Sequence, residues 1–458
     1  MPRGCSDWHG TRAALRGEAG RVVPIPERAL DGLASFERRG GLSRRDLLAG
    51  GIGLLVAANG LPGFSTRSLL EAAAAQAADA PDATILVSLY LDGGNDGLNT
   101  LVPVGDPRYA QLRSRIGVDP ATALPLAGTP GFGWHPNLGG LRELYDAGKV
   151  AVLPAVDYSH PDQSHFNSGG FWRSGIVGPA PDRTGWMGRT LDVIGTHDNP
   201  LQGIHVGWGQ DPSLNGQRAP VATVSSPSDF GFYIPDVWEE KSFLPLYRRL
   251  SHARAKHPAL AAVRGMYRNT IETHDRLAPL AKEDKPAPPP LPYPDSNLGK
   301  SLGNLGRMLG AGFGTRVAVV SSGGFDTHDD QAQNHGALLQ DLGDSLRAWQ
   351  ADLDARGLSE RVLTMIWSEF GRRPEDNDSG GTDHGAGGLL LLVGNRANGG
   401  IRSEFPGLTQ LDDDDNLVVT TDFRSVYATL LEGWLGVEAS RVLPRVPGGG
   451  HLPLLRAA

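Results

Sequence analysis

Five short apolar runs constrain this chain more than any other feature. They are ATILVSLYLDGG (83–94), KVAVLPAV (149–156), RVAVVS (316–321), VLTMIW (362–367) and LLLLVG (389–394). A strand with one wet face alternates apolar and polar residues. A strand buried on both faces reads as a continuous apolar run, as in a parallel sheet covered by helices. Helical spacing with a glycine stop marks LGGLRELYDAG (138–148), and TTDFRSVYATLLEGWLG (420–436) reads as a helix with an aspartate near its start. A loop beginning GGFDTHDDQ runs into a third, long helix. Strands alternating with helices predict an α/β fold, a mostly parallel sheet flanked by helices in one large domain. That domain is expected over 78–458, with a helical insertion or cap at about 195–300. The proline-rich KEDKPAPPPLPYP (282–294) reads as an extended surface connection.

The first 77 residues read as an address. SRRDLL (43–48) precedes a glycine-rich apolar run, and EAAAAQAADA follows. Paired arginines, an apolar region and a small-residue cleavage site in this order make a twin-arginine signal, with cleavage near Ala77. Gly60 and Pro62 break the apolar run, so it would span a bilayer poorly. The expectation is an exported bacterial protein (periplasm, cell envelope or secreted) with no stable membrane anchor after cleavage. Its first partner is the twin-arginine export machinery. That route moves folded proteins and suits those that bind an ion beforehand.

Charge narrows the chemistry. The formal net charge is −8, and the leader carries ten arginines against seven acids, so the remainder is more acidic still. This argues against a nucleic-acid footprint, which is basic. The single cysteine, Cys5, lies in the leader. Disulfides and thiolate ligands are thereby excluded from the rest, and a metal must be held by His, Asp, Glu or neutral oxygens.

Polar residues collect where the apolar runs end, which in open α/β sheets is where ligands bind. Asp92 and Asp96 follow the first run. DYSHPDQSHFNSGG, with His160, Ser164, His165 and Asn167, follows the second. Asp326, His328 and Asp329 follow the third, and Ser368, Glu369 and Arg372 the fourth; Asp383 and His384 come just before the fifth. Aspartate with neutral imidazole suits Zn or Mn, and carboxylate-rich positions also suit Mg or Ca. One or two divalent ions at such a rim could clamp the oxygens of an in-line displacement, with Ser164 as a nucleophile activated by the metal. Each signal also has a plain structural reading. Asp-Gly after a strand fits a turn, Ser164-His165 fits a helix cap, and Glu369 with Arg372 fits an ion pair. LDDDDN (411–416) reads as a solvated acidic loop rather than a calcium site.

The ordered strings LYLDGGNDGLNTLVP, SHF, WRSG with GWMGRTLD, GGFDTHDDQ, SEFGR, GTDHG and TTDFRSVYATLLEGWLG closely resemble the DUF1501 family of exported bacterial proteins. The resemblance spans about 84–436. It implies the three-layer α/β fold of the alkaline phosphatase and sulfatase superfamily, whose members are metal-dependent hydrolases or mutases. By that resemblance Asp96, or Asp92, binds metal after the first strand. Ser164 is the nucleophile starting the next helix, and Asp326 with His328 holds one metal. GTDHG is similar to the superfamily's Asp-His-Gly string, but Ser368-Glu369-Phe370-Gly371 stands where that string normally follows a strand. Glu369 and Asp383 therefore compete for one ligand role, His384 is a ligand under either reading, and Phe370 argues for a single ion. Arg173 and Arg372 are candidates to bind an anionic substrate, and His135 in GWHPN could line the same rim.

The sequence thus predicts an exported metal-dependent hydrolase of phosphate or sulfate esters. The alternative is an exported binding or structural protein that keeps the hydrolase fold without turnover, and fold does not choose between them. Catalysis requires Ser164 beside the metal and open to solvent.

Overall fold

The computed structural model describes residues 83–179, 183–196, 198–231, 240–253, 257–283, 287–446 and 451–456. The twin-arginine segment and the cleavage position near Ala77 lie outside them. Two compact units divide the chain. Residues 57–231 and 244–458 make one, and everything below belongs to it except the first turn of the helix Glu240–His252. The other, residues 1–56 and 232–243, lies almost wholly outside the described residues. Among the described residues no helix is long and apolar enough to cross a membrane.

In chain order the strands are β1 (Ile85–Asp92), β2 (Leu101–Val102), β3 (Leu124–Pro125), β4 (Gly133–Trp134), β5 (Val150–Asp157) and β6 (Gly203–Val206). Then come β7 (Ala222–Thr223), β8 (Val317–Gly323), β9 (Val362–Trp367), β10 (Gly388–Val393), β11 (Gly400–Ile401) and β12 (Thr421–Asp422). The helices are α1 (Gly97–Thr100), α2 (Pro107–Leu112), α3 (Gly139–Asp146), α4 (His165–Ser174) and α5 (Trp186–Ile194). They continue with α6 (Glu240–His252), α7 (Pro258–Ala281), α8 (Asn297–Gly310), α9 (Gln331–Ala355) and α10 (Phe423–Gly433).

All five apolar runs form strands of one nine-stranded sheet. Its order is β11-β5-β10-β9-β1-β8-β6-β7, with β12 also on β5. Each pairing is parallel except those of β10, which runs against both β9 and β5. The sheet is therefore mostly parallel and flanked by helices, as the apolar runs predict. The reversed strand has a consequence for the site. The amino end of β10 lies at the same edge as the carboxyl ends of β1, β5, β8 and β9. Residues just before β10 thus meet residues just after the others. Outside this sheet, β2, β4 and β3 form a small antiparallel sheet.

Side chains of a strand alternate between faces, and β1 shows both. Val87, Leu89 and Leu91 pack into a core with α3, α8 and α9 residues such as Leu141, Leu302, Leu342 and Trp349. Leu86 and Tyr90 pack into a second core with Trp172 of α4, Trp186 of α5 and Phe423 and Tyr427 of α10. Two apolar faces covered by helices make three layers. The second core also fixes α4. Trp172 stacks on Trp367 of β9 at 5.2 Å and on Phe423 at 4.4 Å, and Tyr427 donates to the Trp172 carbonyl at 3.0 Å. That stack holds the helix whose first residue, His165, enters the site.

Candidate metal centre

His165, Asp326 and His384 each present one ligand atom, and these atoms lie within 4.8 Å of one another. They come from three separate segments: the first turn of α4, the loop after β8 and the loop before β10. Around the Asp326 carboxylate, His384 Nε2 is 3.1 Å from Oδ1, His328 Nε2 is 3.0 Å from Oδ1, and His165 Nε2 is 3.5 Å from Oδ2. His328 Nε2 and His384 Nε2 are 3.0 Å apart.

The other nitrogen of each ring fixes its proton. His165 Nδ1 donates to Glu369 Oε1 at 2.7 Å, His384 Nδ1 to the Gln163 carbonyl at 2.9 Å, and His328 Nδ1 to Asp383 Oδ1 at 3.2 Å. A neutral imidazole with its proton on Nδ1 carries a lone pair on Nε2. Three lone pairs and a carboxylate then face one another, an arrangement that repels itself unless a cation lies among them. Burial pushes His384 below the ordinary imidazole range, against protonation as the remedy. Burial raises Asp326, but the hydrogen bond and positive charge of Arg372 outweigh it and hold the carboxyl at about 2. Imidazole nitrogens backed by carboxylates and a carbonyl, around an ionised aspartate, are the donor set of a divalent metal. The residues present fit such an ion.

The surroundings hold this set from behind. Glu369 is wholly buried and accepts from the backbone N–H of Gly93 at 3.1 Å and of Gly94 at 3.1 Å, and from Ser368 Oγ at 3.1 Å. Gly93, at φ +122°, takes a conformation that favours glycine. A Cβ there would lie 2.3 Å from the Asp326 nitrogen. Phe370 is wholly buried beneath the rings, with centroids 5.0 Å from His165 and 4.6 Å from His384. Gln163, whose carbonyl orients His384, has φ 59°. Left-handed backbone at a non-glycine residue is uncommon and clusters where a site over-determines it.

Several predicted residues sit elsewhere. Glu369 and Asp383, rivals for one ligand role, both stand behind imidazoles instead: Glu369 behind His165 and Asp383 behind His328. Asp96 is not in the cluster. It is wholly buried, caps α1 through the N–H groups of Leu98 and Asn99, pairs with Arg113 and accepts from Gln331 Nε2 at 2.5 Å. A carboxylate so occupied has no lone pair for the rim. Asp92 is exposed and accepts from Tyr90 Oη at 2.8 Å. Ser164 is the N-cap of α4, its Oγ accepting from Asn167 N–H at 3.4 Å. Arg372 is buried under the cluster. It donates to the carbonyls of Gly93, Gly94, Thr382 and Phe325 and to Asp326 Oδ1 at 2.6 Å. Its guanidinium braces the loops and does not face solvent. Glu369 and Arg372 have separate partners, Glu369 the Gly93 and Gly94 N–H groups and His165, and Arg372 the carbonyls and Asp326. Arg173 pairs with Asp211 at 3.1 Å and lies 4.4 Å above the Tyr90 ring. His135 is buried, its Nδ1 accepting from Asn137 N–H at 3.2 Å.

His165 is the ligand that the motifs do not single out, because its neighbour Ser164, a hydroxyl after a strand, is the more conspicuous residue. The signal available was SHF itself, because the residue after an N-cap lies in the first helical turn, facing the rim.

The family model described as Protein of unknown function (DUF1501) matches residues 119–443, well over half of the chain. The chain belongs to the DUF1501 family. His165, Asp326 and His384, with His328 beside them, lie inside the matched segment. For this DUF1501 chain no curated protein is a match. Among solved structures it is similar to the crystal structure of Ps i-CgsB in complex with k-i-k-neocarrahexaose. Identity there is 10%, with a TM-score of 0.35, covering 79% of this chain and 74% of that one. It is also similar to the PsFucS1 sulfatase from Pseudoalteromonas sp. at 12% identity and a TM-score of 0.32, covering 82% and 73%.

Proposed function

We propose that this DUF1501 protein is an exported metal-dependent hydrolase of phosphate or sulfate esters, built around one divalent ion. The observation that carries the reading is the convergence of His165, His328 and His384 Nε2 on the ionised Asp326, each ring anchored through Nδ1. Three imidazoles and one carboxylate favour Zn or Mn over Mg or Ca. Among the described residues His165, Asp326 and His384 are the one such group, and Phe370 packs against both of its rings, where the superfamily's Asp-His-Gly string would carry a His. One ion therefore fits better than two. When bound, it supplies Lewis acidity toward an ester oxygen and lowers the pKa of water.

The protein's own residues have distinct tasks. Glu369 holds the His165 ring and its tautomer, Asp383 does the same for His328, and the Gln163 carbonyl for His384. Arg372 keeps Asp326 ionised and the Gly93–Gly94 turn in place. Ser164 remains the candidate nucleophile, since Asn167 uses an Oγ lone pair and leaves the hydroxyl hydrogen free. The substrate is an anionic ester met outside the cytoplasm after twin-arginine export, and the acidic charge balance disfavours nucleic acid.

The test is the metal content of the folded, leader-free protein beside His384→Ala. About one equivalent of Zn or Mn, lost in the variant, supports the site and opens an ester screen. A protein that stays metal-free after supplementation with each ion sinks the reading. The binding or structural alternative draws on one observation. Arg173 and Arg372, the cations nearest the cluster in sequence motif, are both engaged by protein groups. A loaded protein that turns over neither ester class favours that alternative. Ser164→Ala separates the nucleophile from the cap. Loss of a cap alone costs about 1 kcal/mol of stability and spares turnover.

A further inference from the structure

Among the described residues two large apolar side chains stand almost wholly in solvent, Phe166 at 92% exposure and Trp208 at 89%; the next is at 40%. Both lie on the rim that carries the cluster. Phe166 directly follows His165 in the first turn of α4. Trp208 is two residues beyond β6, which is parallel to β8, and β8 leads into Asp326 and His328. Neighbouring strands are about 4.8 Å apart, so the Trp208 loop leaves the sheet beside the loop that bears Asp326. That loop is tethered. His205 Nδ1 bonds to the Gly209 carbonyl at 2.5 Å, and Arg173, on the last turn of α4, pairs with Asp211 at 3.1 Å. Arg173 thus ties the segment just after Trp208 to the helix that carries Phe166.

Exposing two aromatics beside a polar centre is unfavourable in water unless a ligand covers them. We propose that Phe166 and Trp208 form a stacking rim for the non-reacting part of the substrate, so that the ester is carried by a group with a flat apolar ring face. A pyranose and an aryl ring share that chemistry. The inference rests on the cluster being the reaction centre, but ring binding is measurable without turnover.

The experiment uses Phe166→Ala and Trp208→Ala in the metal-loaded protein, with metal content measured in each. Turnover is compared for glucose 6-sulfate and 6-phosphate, p-nitrophenyl sulfate and phosphate, and the ring-free ethyl sulfate and ethyl phosphate. The expected result is a fall of about tenfold in the ratio of kcat/KM for ring esters to that for ethyl esters, carried by KM. Which ring series is more affected distinguishes sugar from aryl. An unchanged ratio in both series overturns the proposal. If the wild-type protein hydrolyses none of these esters, the hydrolase reading fails and binding decides the rim. Methyl glucoside or phenol binding, followed by calorimetry and by the part of the tryptophan fluorescence that Trp208→Ala removes, is then expected to weaken about tenfold in Phe166→Ala. No binding of either ring, or a preference of the same two side chains for phosphatidylcholine vesicles, overturns it.

Discussion

Single residues divide into those that touch the candidate centre and those that hold it. Glu369 belongs to the second kind. Replacing a carboxylate behind a metal-binding imidazole typically weakens metal affinity 10–100-fold. Glu369→Gln is expected to do so while leaving the fold intact, measured by competition with a chromophoric chelator; unchanged affinity would remove Glu369 from the support of His165. Asp96 gives the opposite pattern. Its partner Arg113 is as buried as it is, so Asp96→Asn leaves a buried cation uncompensated. A loss of about 3–5 kcal/mol in urea unfolding is expected, with metal affinity retained. The wild-type pair also predicts a pH dependence. Burial raises the Asp96 carboxyl, but Arg113 outweighs it and holds the group at about 2, below its ordinary value of 3.8. A depressed carboxyl stabilises the fold fully above its unfolded value. That stabilisation is lost as pH falls from about 4 towards 2. Acid unfolding of Asp96→Asn should lose this component, and an unchanged acid limb would contradict the assignment.

Among the elements, the loop between β9 and β10 does most to assemble the centre. Arg372 and His384 face each other in an isolated antiparallel bridge. Arg373 N–H donates to the Asp383 carbonyl at 3.0 Å, and Gly385 N–H to the Gly371 carbonyl at 2.9 Å. SEFGRR and TDHG thus fold back on each other, which brings Glu369 behind the rings and His384 in front. Close backbone approach explains the glycines. A Cβ on Gly381 would lie 2.3 Å from the His328 carbonyl carbon, closer than real contacts allow. Gly381→Ala must therefore shift the loop that carries His328. We expect metal affinity to fall at least tenfold with little change in far-ultraviolet circular dichroism, and an unchanged affinity would show that the loop absorbs the methyl group elsewhere.

For the molecule as a whole, the cluster joins segments some 220 residues apart, from His165 to His384. An ion binding these groups binds the folded chain and not the unfolded one. Stability should rise by about 2.7 kcal/mol at 100 times Kd. Thermal melts should shift upward by a few degrees with added Zn or Mn, reverse with chelator, and not shift in His384→Ala. Absence of any shift in the wild-type protein would mean that the three segments are not bridged. The sequence alone determined the five buried strands, the helices between them and the crowding of polar residues at strand ends, because burial on both faces leaves a local, continuous apolar signature. Short β6, β7, β11 and β12 left none, since two to four residues carry no period. Only the tertiary structure decided which polar residues meet. Asp96, Glu369 and Arg372 look from sequence like rim residues, yet they turn inward to Arg113, to backbone N–H groups and to carbonyls. His165 looks like the neighbour of a nucleophile and faces the centre. Hydrogen-bond partners for a strand-end side chain come from distant segments, and the reversal of β10, which sets those partners for His384, is a matter of pairing that no local pattern encodes.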